Sequence, residues 1–272
     1  MTASPPSSSR DRSPGAPHVF HALDGLRGIA AIVIAIYHVP FLWPQDIPAG
    51  VFYESYLSVD FFFVLSGFVL AYSYGRRLEA DLSADQFILM RLIRLYPLYF
   101  CAFLISVGVE CLALRHGLVS AATAIARVTF AAAFFPAPFG VSLYPMNFPA
   151  WSLFYEVVAN RAFAMTGKRL TTRVLTIIVA VAALTLLFAV SSRSLGFGTM
   201  EGAMNAGSQW PAIGAGFARV AYSFFAGVLV FRLWRAQSRK IVLPPLALFA
   251  VLIVILAAPP SGAYQTAFDL LA

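Results

Sequence analysis

Long apolar runs separated by short polar stretches organise the chain. A helix needs about 20 apolar residues to cross a bilayer. On that measure the pattern predicts spans at 25–43, 56–75, 95–114, 150–166, 174–190, 217–233 and 242–258. A further apolar stretch, 118–135, runs into "FPAPFGVSLYPMNFPAW". The prolines there break any helix, which a membrane tolerates only where the backbone packs against protein or water. The expected fold is all-α: a polytopic helical membrane bundle of about seven spans plus one re-entrant or interfacial segment. No internal repeat is evident.

Charge decides the status of 118–135. Basic clusters stand at Arg76, Arg77, Arg91 and Arg94, at Lys168, Arg169 and Arg173, and at Arg232, Arg235, Arg239 and Lys240; Arg10, Arg12 and Arg27 lie near the start. With a cytoplasmic N-terminus and a non-spanning 118–135, fourteen of the 19 Lys and Arg fall on the cytoplasmic side. If that stretch spans, the last two clusters face outward, against the positive-inside bias. The expected topology is therefore a multi-pass membrane protein with the N-terminus inside; the expected location is a cell membrane, taken as the bacterial cytoplasmic membrane.

Composition agrees. The chain is 60% hydrophobic and 11% charged, against about 25% charged in a soluble domain. Its formal charge of +7 flanks spans and does not indicate nucleic acid. Residues 1–20 begin "MTASPPSSSRDRSPGAP" and read as a disordered cytoplasmic tail without a cleaved signal peptide. Residues 21–272 read as one transmembrane domain. Its end, "GAYQTAFDLLA", stops where another apolar helix would begin, so the domain is expected to be incomplete at its C-terminus. Cys101 and Cys111 share one apolar run and read as small buried residues; neither a disulfide nor a metal site is expected.

The candidate chemistry begins in "LDGLRGIAAIVIAIYHV", which carries Asp24, Arg27 and His38 in an apolar run. Arg27 and His38 are eleven residues apart, about three helical turns, which places both on one face with a rise of about 16 Å. Ionisable groups inside a membrane are costly and mark reaction or transport pathways. A neutral imidazole can take a hydroxyl proton, and a permanently charged guanidinium suits an anion. The bland alternatives are a hydrogen-bonded buried histidine and a snorkelling arginine.

In "SVDFFFVLSGFVL", Asp60 and Gly67 share a face. Gly67 allows close approach of a helix or ligand. Asp60 could orient His38, hold a polar substrate, or serve as a helix N-terminal carboxylate. Ser66 reads as interhelical glue, with no triad beside it. "RLIRLYP" sets Arg91 and Arg94 three apart, able to grip phosphates or simply to anchor the span. "FPAWSLFYEVVANRAF" carries Trp151, an ordinary interfacial aromatic taken alone, and Glu156, which needs a partner; Arg161 or Arg219 could supply it. No phosphate-binding loop, zinc spacing or dinucleotide fingerprint is present.

Taken together, "LDGLRGIAAIVIAIYHV", "SVDFFFVLSGFVL", "RLIRLYPLY" and "YPMNFPAWSLFYE" resemble, in order, the motifs of the acyltransferase-3 family of membrane-bound O-acyltransferases. "ARVAYSFFAGVLVF" is similar to a later family helix. The resemblance implies transfer of an acyl group, often acetyl, from cytoplasmic acyl-CoA to a hydroxyl of a cell-surface polysaccharide, glycolipid or similar acceptor, with no metal. It implies that His38 and Arg27 are the essential pair and that Arg91 and Arg94 contact the donor. Asp60, Ser66, Gly67, Trp151 and Glu156 match further motif positions, and Asp24 adjoins the first. The family's closing helices have no counterpart here, so an inactive shortened relative is one alternative. A transporter of a polar or acylated solute, using Asp60, His38, Glu156 and Arg161 as a relay, is another.

Overall fold

The computed structural model describes residues 21–42, 53–191, 206–237 and 244–256. Among these the chain forms eight α-helices: α1 (His21–Leu42), α2 (Leu57–Ala80), α3 (Ala84–Arg115), α4 (Ala121–Ala132), α5 (Ala150–Thr166), α6 (Thr172–Ser191), α7 (Ile213–Ala236) and α8 (Pro245–Leu256). It is an all-helical membrane bundle. Four helices, α2, α3, α6 and α7, are long and apolar enough to cross a bilayer, and α4 and α8 are shorter apolar helices. The expected N-terminal tail and the expected incomplete end both lie outside the described residues.

The helix expected at 150–166 forms over those residues. The span expected at 95–114 lies within α3, and the helix itself starts at Ala84, eleven residues before that span. The signal was local. Ser83 accepts from the Gln86 backbone N–H while the Gln86 side chain takes the Ser83 N–H, a capping box that starts the helix in polar sequence. At 32 residues, α3 is about 48 Å long and exceeds a hydrocarbon core of about 30 Å.

The doubtful stretch 118–135 becomes α4, whose 12 residues reach only about 18 Å. α4 runs antiparallel to α3. Buried Glu110 pairs with Arg127 at 3.1 Å at the middle of α4, and the Tyr99 hydroxyl donates to the Ala131 carbonyl at 2.5 Å near its end. The chain therefore turns back beside the middle of α3, and α4 is too short to cross a bilayer. Phe134 closes the turn in the left-handed region at φ 58°, and its carbonyl accepts from the Tyr144 hydroxyl at 3.1 Å. The following loop is tied to the start of α7, where Trp210 Nε1 donates to the Ala137 carbonyl at 2.7 Å.

α2 and α7 form the centre of the bundle. Their crossing is close because each presents a glycine to the other's backbone. A Cβ on Gly67 would lie 2.0 Å from the Phe224 carbonyl oxygen, and one on Gly227 would lie 2.0 Å from that of Val64. Small residues allow this approach in membranes, and backbone cannot step aside as a side chain can. Gly67→Ala is expected to lower stability by about 1–3 kcal/mol or more through overpacking. Size-exclusion profiles of heated, detergent-solubilised protein would show it.

Phe63, Leu70, Tyr155 and Phe224 fill the core around this crossing, and Phe87 of α3 joins them. A second apolar cluster seats Leu26, Ala30 and Val33 of α1 against Leu57 of α2 and Leu252 of α8. The outer face of α3 is exposed and apolar at Leu98, Ile105 and Val109, as suits contact with lipid. Cys101 and Cys111 correct the expectation of burial: both are free and exposed on this helix. A lipid-facing position accepts a small apolar residue as readily as a core does.

Candidate functional site

Asp60 sits in the first turn of α2 and faces Arg219 of α7. The guanidinium is 1% exposed, and its hydrogen bonds account for every nitrogen. Nη2 donates to Asp60 Oδ2 at 2.5 Å, Nε to Asp60 Oδ1 at 3.4 Å and Nη1 to the Ala206 carbonyl at 2.7 Å. Ser223, one turn further along α7, donates to Asp60 Oδ1 at 2.9 Å. Asp60 is thus more than a helix-end carboxylate. It neutralises a buried cation, which a low-dielectric interior requires.

Trp151 covers this pair. It is buried, and the Arg219 guanidinium carbon lies 5.7 Å from its ring centroid. The face of its ring stabilises a desolvated cation. One turn on, the Tyr155 hydroxyl donates to the Gly207 carbonyl at 2.9 Å.

A second polar cluster lies about two turns further along α2. Glu156 Oε1 accepts from Ser66 Oγ at 2.8 Å and from Arg91 Nη2 at 2.9 Å. Ser66 is the interhelical link expected of it. Glu156 pairs with neither partner anticipated: Arg219 belongs to Asp60, and Arg161 pairs with Asp85 at the start of α3. The capping box explains the difference, since it extends α3 alongside α5 and carries both Asp85 and Arg91 to it. Arg91 and Arg94 part company: Arg91 is buried on Glu156 and Arg94 is exposed. They do not present a two-armed fork.

Asn160, one turn after Glu156, is fully buried, and neither amide atom has a hydrogen-bond partner among the described residues. Burying an amide this way costs about 1–3 kcal/mol. Asn160→Leu keeps the branched shape and removes that cost, so its melting temperature is expected to rise. A fall would mean that the amide has a partner.

α1 carries the remaining candidates. Arg27 Nη1 lies 3.5 Å from Asp24 Oδ1, in a half-exposed pair. His38 Nδ1 lies 2.7 Å from the Ile34 carbonyl oxygen. A carbonyl only accepts, so Nδ1 carries the proton and the basic lone pair falls on Nε2. The ring is half-buried, with its centroid 6.4 Å from that of Phe148 in the loop before α5. Arg27 and His38 share one flank of α1, roughly a quarter turn from the packed ridge of Leu26, Ala30 and Val33. They border the packed seam without being sealed inside it.

Sequence reasoning undervalued Arg219, treating it only as one option for Glu156, and did not single out Ser223. The signal was present: a single arginine inside "GFARVAYSFFAGVLVF", with a serine four residues later on the same face. Asn160 gave no comparable signal. Among the described residues no group of His, Cys, Asp and Glu is placed to hold a metal.

Four motif segments thus meet in one bundle. Asp60, Ser66 and Gly67 come from α2, Arg91 from α3, Trp151 and Glu156 from α5, and Arg219 from α7, with α1 alongside. No solved structure matches the chain. It is 38% identical over 182 residues to "Protein 2 in picA locus" of Rhizobium radiobacter, an alignment covering 62% of this chain and 93% of that protein. The family model described as an acyltransferase domain matches residues 20–271. With every described residue inside that match, the chain belongs to the acyltransferase-3 family of membrane proteins.

Proposed function

We propose that this protein is a membrane O-acyltransferase that moves an acyl group, acetyl above all, from acyl-CoA to a hydroxyl of a surface polysaccharide, glycolipid or similar acceptor. The observation that carries the chemistry is the 2.7 Å contact of His38 Nδ1 with the Ile34 carbonyl oxygen. With Nδ1 donated to Ile34, Nε2 is the atom that can accept a proton. His38 Nε2 takes the acceptor's hydroxyl proton as the oxygen attacks the thioester carbonyl. The carbon–sulfur bond breaks, and the departing thiolate of CoA takes that proton back. Arg27, on the same flank of α1, supplies a permanent positive charge near the donor. Asp60, Arg219 and Trp151 act as a scaffold that holds α2, α5 and α7 together beside it. Arg91 is engaged by Glu156, so Arg94 is the member of that pair open to a donor phosphate.

The clustering of basic residues supports a cytoplasmic N-terminus, and the similarity to a Rhizobium radiobacter protein supports the cytoplasmic membrane of a bacterium. The test is a transfer assay on membranes containing the chain, with acyl-labelled CoA and hydroxyl acceptors. Labelled acceptor supports the assignment. Solute flux in proteoliposomes without CoA turnover would favour a transporter instead.

A further inference from the structure

The far ends of α2 and α7 part below the Gly67–Gly227 crossing and enclose a cavity of about 380 Å³ with the turn between α5 and α6. That size lies within the usual range for ligand pockets, about 300–1,000 Å³. Arg76, Arg232 and Arg235 line it, with Glu79 as the acidic residue beside them. None of the ion pairs among the described residues uses any of these three arginines. The inner wall is different in kind: Ala71, Phe163, Val228 and Phe231 make it apolar.

Three guanidiniums against one carboxylate leave a net positive rim over an apolar floor. Guanidinium forks bind phosphate through paired, charge-assisted hydrogen bonds. The arrangement fits an amphiphile with a phosphate-bearing head. The cavity also points along the right seam. Phe163 of α5 and Gly167 just after it line the cavity, and Asn160 and Glu156 follow at helical spacing on the same face, so that face leads from the cavity toward the Ser66–Glu156–Arg91 cluster.

We propose that this cavity, lined by Arg76, Arg232 and Arg235, holds the phosphates of the acyl-CoA donor. The assignment rests on the acyltransferase function proposed above. It moves the main phosphate grip away from the Arg91–Arg94 pair, half of which is committed to Glu156. An anionic phospholipid headgroup offers the same phosphate chemistry at a membrane edge, and the experiment separates the two sources.

The full chain is placed in phosphatidylcholine nanodiscs, and binding of CoA, 3′-dephospho-CoA and pantetheine is measured by calorimetry. Arg232→Gln/Arg235→Gln and Arg76→Gln are each expected to weaken CoA binding by about ten- to a hundredfold, while pantetheine binding is unchanged. Arg94→Gln is expected to have the smaller effect. Arg232→Lys/Arg235→Lys keeps the charge, and its intermediate affinity and unchanged melting temperature would show that the losses are not misfolding. If the cavity variants bind CoA as tightly as the parent, or Arg94→Gln alone abolishes binding, the cavity assignment is overturned and the acyltransferase function stands. If the parent binds phosphatidylglycerol through these arginines and ignores CoA, the lipid is the occupant and the donor assignment falls. If the parent binds neither, both proposals fall.

Discussion

Replacing His38 with alanine is expected to slow acyl transfer by about 10²–10⁴-fold, the usual worth of a positioned general base. The effect should fall on turnover and not on donor affinity, because the imidazole acts on the acceptor's proton. His38→Gln is the sharper variant. It keeps a side-chain donor for the Ile34 carbonyl, bonded at 2.7 Å in the parent, but offers no basic nitrogen. Both variants should bind CoA like the parent and fail in single-turnover transfer. Full transfer by either would remove the imidazole from the chemistry.

Replacing Arg219 with methionine is expected to cost about 3–5 kcal/mol, because it leaves the Asp60 carboxylate without its counter-ion. The loss should exceed that of any surface arginine, since the guanidinium is 1% exposed and bonded to carbonyls as well as to Asp60. Asp60→Asn added to Arg219→Met is expected to recover part of the stability, because the stranded charge is then gone. Melting of the parent, both single variants and the double variant would close the cycle, and residues in direct contact couple by about 0.5–3 kcal/mol. Strict additivity would mean that the two side chains do not act as a pair.

Much of the bundle was legible because burial in lipid imposes length and composition together. The run at 150–166 became α5 over the same residues, and the apolar stretch at 118–135, expected not to span, holds only the 12-residue α4. Pairing was less legible. Glu156 announced that it needed a partner, but which arginine reached it depended on where α3 began. That in turn depended on Ser83 and Gln86 in a polar stretch that hydropathy passes over. Arg76, Arg232 and Arg235 first registered as topology markers. Only the three-dimensional meeting of α2, α7 and the α5–α6 turn makes them one rim. Gly67 was read as a site of close approach, and its partner Gly227 was not, because nothing along the chain says which two glycines will face each other.

The account depends on the proton acceptor and the permanent cation on one flank of α1 both being reachable from water. Cysteine accessibility tests it without needing an acceptor. Cys101 and Cys111 are exposed and would first be changed to serine. Arg27→Cys and His38→Cys would then be treated in membranes with a charged, water-soluble thiol reagent, with and without CoA. Labelling of both positions, slowed at Arg27→Cys by CoA, is the predicted result. Labelling of either position only by a lipid-soluble reagent would contradict it.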